Sequence, residues 1–182
     1  MERRFTRLRP ANGPSGPGYY EVPNNGMCLS TFLVLERRGH PGEVLLGRLD
    51  PAAPWFELGS LEGPRLAAIG SRWMLPASQL LFFEDPAEAA HRVLREQLGS
   101  DLPSLPAPRI VSEAYARTEA APGTDPHWDL QFIYRAEWPH ADPPHARAWK
   151  ELAFVPAASL RHAEIARAHG DILELAGLSL KE

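Results

Sequence analysis

The residues with the clearest chemical potential lie between positions 73 and 103, the densest stretch of the chain. Glu84, Glu88, Arg92 and Glu96 recur every four residues, so on a helix they share one polar face. Carboxylates one helical turn apart can converge on a hard divalent cation, and the segment before them could form a loop that holds phosphates. Three interpretations are open: a catalytic helix, a helix that has lost its chemistry, or an ordinary amphipathic helix on a sheet.

Residues 85–99 are expected to form the helix that presents these side chains. Asp85 is a good N-cap residue, Pro86 suits the first helical position, and Glu88 completes a capping box. Gly99 is well placed to end the helix. The apolar positions at helical spacing are Ala89, Ala90, Val93, Leu94 and Leu98. The pattern therefore predicts an amphipathic helix that packs on a sheet.

Strands are predicted on both sides of this helix. Residues 27–38 and 43–50 are expected to form a hairpin that ends near Arg48. Residues 109–119 and 127–138 alternate between apolar and polar side chains, as half-buried strands do. These strands supply the sheet that the helix needs.

Three further segments complete the predicted architecture. Residues 79–84 are apolar enough for a short strand, the Pro- and Gly-rich residues 51–72 predict a surface excursion, and residues 161–178 predict a closing amphipathic helix. Hairpins combined with two helices point to the α/β class, as an α/β/α sandwich around a mixed β-sheet. We expect residues 1–26 to form an irregular arm and residues 27–182 to form a single domain.

The composition excludes several classes of protein. The net charge of −4 gives no basis for general nucleic-acid binding. No apolar run approaches the roughly 18 residues that a membrane span requires. The single cysteine, Cys28, excludes an internal disulfide and a Cys-rich zinc site, and fits a cytoplasmic protein.

Residues 78–100 resemble the signature of the Nudix hydrolases, G-x5-E-x7-R-E-U-x-E-E-x-G-U, where U is an apolar residue. The positions that match are Glu84, Arg92, Leu94, Glu96 and Gly99. The positions that depart from it are Ser78, Val93, Gln97 and Ser100. Upstream, WMLP stands where Nudix proteins commonly carry a W-x-L-P run. The resemblance covers roughly residues 27–178 and implies a Nudix-like fold.

The resemblance also implies a reaction. Nudix enzymes cut a nucleoside diphosphate linked to another group, using Mg²⁺ or Mn²⁺ on the signature helix. Val93 and Gln97 occupy two of the three carboxylate positions, so Glu96 alone remains as a metal ligand, and metal binding should weaken by orders of magnitude. Glu84 and Arg92 are expected to brace the loop against the helix. The first hypothesis is a Nudix-fold protein that binds a nucleoside-diphosphate-linked ligand, with standard hydrolysis weak or lost.

Two other hypotheses stay open. The first is an active but atypical Nudix hydrolase in which Glu96 and Glu151 hold one metal ion and a loop histidine is the base. His127 is the preferred base, and His140 and His145 also lie in or near loops. The second is a non-enzymatic protein-interaction domain, built from the Pro-rich arm and the surface excursion.

The candidate ligand-binding residues lie outside the signature. Arg48 could bind a phosphate, and Trp128 and Phe132 could stack on a base. The expected partner is a small nucleotide-like molecule, and the resemblance is also compatible with a homodimer. The sequence leaves the identity of the substrate open, because Nudix specificity lies in loops without readable motifs.

Overall fold

The computed structural model describes residues 7–8, 27–61, 63–115, 127–166 and 168–182. Within these ranges the strands are β1 (Arg7–Leu8), β2 (Met27–Arg37), β3 (Glu43–Leu49), β4 (Ala77–Gln79), β5 (Arg109–Tyr115), β6 (His127–Trp138) and β7 (Trp149–Pro156). The α-helices are α1 (Trp55–Gly59), α2 (Gly63–Ile69), α3 (Pro86–Leu98) and α4 (His169–Leu175). Among the residues described, no helix has the length and apolarity that crossing a membrane would require.

The centre of the sheet is β2. It runs parallel to β6 along its whole length and antiparallel to β3 and β4, which lie along its other side. The strand order is β5-β6-β2-β3-β7, and β1 also pairs with β2, giving a seven-stranded sheet in the described part of the chain. The predicted mixed sheet is confirmed.

The two faces of the sheet carry different helices. Along β2, Leu33 and Leu35 point towards α3, whereas Phe32 and Val34 point towards α4. This alternation follows from the two-residue period of a strand. Each face is a buried apolar cluster, so the predicted α/β/α sandwich is confirmed.

The caps of α3 agree with the sequence prediction. Asp85 Oδ1 accepts hydrogen bonds from the N–H groups of Ala87 at 2.7 Å and Glu88 at 2.9 Å. The Glu88 carboxylate accepts the Asp85 N–H at 3.2 Å, which closes the capping box. Gly99 ends the helix at φ 63°, a left-handed conformation that glycine adopts without strain.

The strand predicted over residues 79–84 is wrong beyond Gln79. Phe82 and Phe83 lie in a turn. The Glu84 carboxylate accepts the Leu81 N–H at 2.8 Å, and this hydrogen bond closes the turn. Strand propensity at this run of apolar residues is overridden by that one side-chain contact.

The closing helix is shorter than predicted, and the excursion is more ordered. Ala168, with φ 72°, breaks the helical pattern, so α4 begins only at His169. Residues 51–72 contain two short helices, and Trp55 in the first of them is fully buried. The spacing of apolar residues within one segment predicts neither the late start of α4 nor the helices in residues 51–72, because both depend on contacts with distant parts of the chain.

His169 connects α4 to the rest of the domain through a hydrogen bond and a ring contact. Its Nδ1 atom accepts the Leu75 N–H at 3.1 Å, and its ring makes an edge contact with Phe32. Burial, with a smaller contribution from the positive charge of Arg65, lowers the pKa of His169 to about 3. The imidazole is therefore neutral and serves as a hydrogen-bond acceptor inside the core.

Candidate functional site

The first part of the site is a buried ion pair between the loop after β4 and helix α3. Arg92 Nε and Nη2 donate to the two carboxylate oxygens of Glu84 at 2.7 and 2.8 Å. Arg92 also donates to the Ser78 hydroxyl at 3.2 Å and to the Gln79 carbonyl at 2.9 Å. The Glu84 carboxylate in turn accepts the N–H of Leu81. These contacts fix the loop to the helix.

Gln97 is fully buried and uses its whole amide in structural hydrogen bonds. Its oxygen accepts the Ala77 N–H at 3.3 Å, and its nitrogen donates to the carbonyls of Ala77 at 2.7 Å and Leu58 at 2.9 Å. The side chain therefore ties α3 to β4 and to α1. Because the amide oxygen already accepts a backbone donor inside the protein, it does not face a cation in solvent.

Among the described residues, the remaining signature positions do not complete a metal site. Val93 is fully buried in the cluster between α3 and the sheet, and Glu96 is partly exposed. In the described part of the chain, one group of three potential ligands lies within 4.8 Å: His162, Asp171 and Glu174. That group does not include Glu96. The donors on α3 therefore do not fit the several oxygen ligands that Mg²⁺ or Mn²⁺ requires.

A β-bulge turns Trp149 towards α3. Arg48 pairs with Glu151, but the next residue of β3 pairs with Trp149, so Lys150 is an extra residue on β7. A bulge re-aims the side chain next to it. The bulge at Lys150 places the Trp149 side chain against the backbone of Gly47, on the same side of the sheet as α3.

Trp149 and Trp55 cover the buried end of α3. Trp149 Nε1 donates to the Gln97 carbonyl at 2.8 Å, and the two indole rings meet edge to face at 4.8 Å. Trp55 Nε1 donates to the Asp50 carbonyl, so both polar indole atoms are satisfied. Aromatic packing thus occupies the space beside Gln97.

Replacing Gly47 with alanine tests this packing. The added Cβ would lie 2.1 Å from the nearest ring atom of Trp149, so the indole must move away from Gln97. We expect the free energy of unfolding to fall by about 2–3 kcal/mol, as in other overpacked cores. Urea denaturation measures this change in free energy. Gly63→Ala is the control, because a Cβ at Gly63 meets nothing within 4 Å. Equal stability of the two variants would contradict the packing.

The structure brings Arg48 and Glu151 together, on the other face of the sheet. Arg48 Nε lies 3.4 Å from a Glu151 carboxylate oxygen, and its guanidinium stacks on Trp73 at 4.4 Å. Glu151 alternates with Ala153 and Val155, which pack on the α4 face. Glu151 is therefore on the face opposite α3 and Glu96, and the structure does not unite the two carboxylates proposed to share a metal ion.

Arg48 borders an open depression of about 530 Å³ that the sequence interpretation missed. Ser71, Arg72 and Trp73 also line it. Arg72 is held in place by hydrogen bonds to the carbonyls of Ala68 at 2.6 Å and Ala163 at 3.2 Å. The buried Nε atom of Arg48 has no hydrogen bond to any residue in the described ranges. The depression thus presents two guanidinium groups that an anion could meet, together with the carboxylate of Glu164.

The other candidates are dispersed. Trp128 and Phe132 lie on the α3 face of β6, the face opposite Arg48, and the Trp128 indole N–H donates to the Ser112 hydroxyl. His140 contacts Trp138, and His145 lines a separate depression of about 370 Å³ together with Glu151. The side chain of His127 lies outside the described part of the chain. The structure does not gather these residues into one site.

The sequence matches no protein-family model and no curated protein sequence. Solved structures do match the fold. The MutT Nudix hydrolase from Burkholderia pseudomallei shares 18% identity and a TM-score of 0.54, over 81% of this chain and 96% of that chain. The MutT protein from Methanosarcina mazei Go1 shares 16% identity and a TM-score of 0.55, over 86% of this chain and 95% of that chain.

A third match is the Nudix domain of Shewanella oneidensis NrtR, whose structure is a complex with ADP ribose. It shares 17% identity and a TM-score of 0.54, over 90% of this chain and 92% of that chain. The chain therefore has the Nudix fold.

Proposed function

We propose that this Nudix-fold chain binds a nucleotide-like ligand, of the nucleoside-diphosphate-linked class, and has lost the metal-dependent hydrolysis. The carrying observation is the full burial of Val93 and Gln97 at two positions where the signature has metal-binding carboxylates. The Gln97 amide is bonded to the backbone of Ala77 and Leu58 instead.

The chemical consequence is that, of the three carboxylate positions of the signature, Glu96 alone keeps a charge that could hold a cation. Mg²⁺ needs about six oxygen ligands in near-octahedral geometry, and a diphosphate supplies only some of them. Glu96 cannot replace the charge of the two lost neighbours. Without a bound cation, the phosphoryl oxygens are not polarised and the water nucleophile is not activated.

Ligand binding is supported by the depression beside β3. Arg48 and Arg72 offer guanidinium groups, which suit phosphate oxygens through charge-assisted hydrogen bonds. The Arg48 guanidinium stacks on the Trp73 ring, with its Cζ atom 4.4 Å from the ring centroid. The fold similarity to a Nudix domain whose structure contains ADP ribose makes that molecule a suitable first probe.

Calorimetry with ADP-ribose and turnover assays test the proposal together. We expect the same dissociation constant in Mg²⁺ and in EDTA, and no product above the background of the Glu96→Gln variant. Arg48→Met should weaken binding about 10-fold or more, because it removes at least one charge-assisted hydrogen bond. Arg38→Met is the matched control, since Arg38 is an exposed arginine in the turn between β2 and β3.

Each part of the proposal can fail separately. Metal-dependent turnover that disappears in Glu96→Gln would refute the loss of hydrolysis. Equal weakening in Arg48→Met and Arg38→Met would refute the location of the ligand. If neither ADP-ribose nor other nucleoside diphosphate derivatives bind, the ligand-binding role itself is wrong.

A further inference from the structure

An aromatic pair projects from the turn between β4 and α3. Phe82 is 58% exposed and Phe83 is 93% exposed, although phenylalanine is normally buried. The rings contact each other edge to face, with centroids 4.3 Å apart. The backbone of Phe83 is left-handed, with φ 66°, a conformation that is unfavourable for a bulky side chain. The contacts of Glu84 hold the turn in this shape, but they do not account for two exposed phenylalanine rings at its tip.

The turn is held rigidly in this shape. The Glu84 N–H donates to the Leu81 carbonyl at 3.1 Å, and the Leu81 N–H donates to the Glu84 carboxylate at 2.8 Å. That carboxylate is itself locked by the buried Arg92 guanidinium. Phe82 and Phe83 are therefore presented on a preorganised support. Preorganised exposed aromatic residues are typical anchors of protein interfaces, because little conformational entropy is lost on binding.

The charges around the pair indicate what it would bind. Between residues 81 and 91 the chain carries three carboxylates and no lysine or arginine. Glu84 is neutralised by Arg92, so the exposed residues Asp85 and Glu88 remain as an acidic rim at the start of α3, directly after the aromatic pair in the chain. Such a rim repels anionic lipid and nucleic-acid phosphate, and it attracts basic side chains.

We propose that the Phe82–Phe83 turn is a docking surface for a protein partner with an apolar pocket bordered by lysine or arginine. The two rings fill the pocket, and the carboxylates of Asp85 and Glu88 orient the basic border. The proposal is independent of ligand binding, because it rests on the turn and on no residue of the depression beside β3.

Selection from a random-peptide display library tests the surface with a defined probe. We expect the enriched peptides to combine apolar residues with lysine or arginine. A synthetic copy of an enriched peptide should bind Phe83→Gly at least 10-fold more weakly than the unchanged protein. Glu88→Gln should weaken binding about 2–5-fold at low salt, since it removes a rim charge but keeps the capping box.

The stability of Phe83→Gly gives a second readout. Glycine relieves the left-handed strain, so the melting temperature should rise by about 2–4 °C while peptide binding is lost. A loss of binding through misfolding would instead lower the melting temperature. Phe56→Ala is the control, because Phe56 is an exposed aromatic residue on α1 and should keep binding.

Two results would overturn the proposal. Peptides that are acidic, or that bind Phe83→Gly as tightly as the unchanged protein, would show that the turn is not the docking surface. Concentration-dependent self-association in sedimentation that disappears in Phe83→Gly would assign the turn to a second copy of the chain instead.

Discussion

Replacing Gln97 with glutamate is expected to lower the free energy of unfolding by about 3–5 kcal/mol, as for other uncompensated buried charges. Glutamate is the residue that the Nudix signature has at this position, so the substitution restores sequence similarity. The structure nevertheless opposes it. The Gln97 nitrogen donates to the carbonyls of Ala77 and Leu58, and a carboxylate oxygen there would face both carbonyl oxygens without a donor.

Urea denaturation monitored by tryptophan fluorescence measures this effect, once in EDTA and once in Mg²⁺. Gln97→Met is the matched control, because it keeps the size of the side chain and introduces no charge. Gln97→Met should lower the free energy of unfolding by about 1–3 kcal/mol, because it leaves backbone groups unpaired. If Gln97→Glu is as stable as the unchanged protein in EDTA, a carboxylate is tolerated at this position; if it gains stability in Mg²⁺, the position can hold a cation once it carries a charge. Either result would contradict the structural role assigned to the Gln97 amide.

Most of the contacts of helix α3 serve to hold the fold together. Its caps, its apolar stripe and the Glu84–Arg92 pair serve the fold, and all are present. The two positions at which the Nudix signature has glutamates, 93 and 97, carry buried side chains here. Val93 joins the apolar cluster, and Gln97 joins α3 to β4 and α1. A buried hydrogen-bonding residue of this kind stabilises one arrangement of α3, β4 and α1.

Local rules predicted much of the fold. The cap at Asp85, the end at Gly99 and the strands predicted to begin at residues 27, 43, 109 and 127 follow from short-range preferences, and the structure confirms them. The bulge at Lys150 could not be predicted, because it arises from the pairing of β7 with β3, about 100 residues away. That bulge decides where Trp149 points, and Trp149 covers the end of α3.

The site was harder to predict than the fold for the same reason. A shift of one residue moves a strand side chain to the other face of the sheet. The face occupied by Arg48 and Glu151 therefore depends on register, which sequence spacing does not give. Likewise, Phe82 and Phe83 have strong strand propensity, and their turn depends on the Glu84 carboxylate capturing a backbone N–H.

Replacing Arg92 with methionine is expected to lower the free energy of unfolding by about 3–5 kcal/mol, the usual cost of breaking a buried ion pair from one side. Methionine preserves the length of the aliphatic stem and removes the charge. The Glu84 carboxylate, 11% exposed, then stays buried without its cation, and the Gln79 carbonyl loses a donor. The loop before α3 should loosen, and hydrogen exchange at the Leu81 amide should accelerate.

A double-mutant cycle separates the pair from the other contacts of Arg92. Adding Glu84→Gln to Arg92→Met removes the orphaned charge, so the double variant should be more stable than Arg92→Met alone. Arg95→Met is the control, because Arg95 is an exposed arginine on the same helix whose ion pair with Asp101 lies in solvent. It should change stability by less than about 1 kcal/mol. An equal loss of unfolding free energy in Arg92→Met and Arg95→Met would mean that the Glu84–Arg92 ion pair does not stabilise the loop. The rigid support inferred for the Phe82–Phe83 turn would then be contradicted as well.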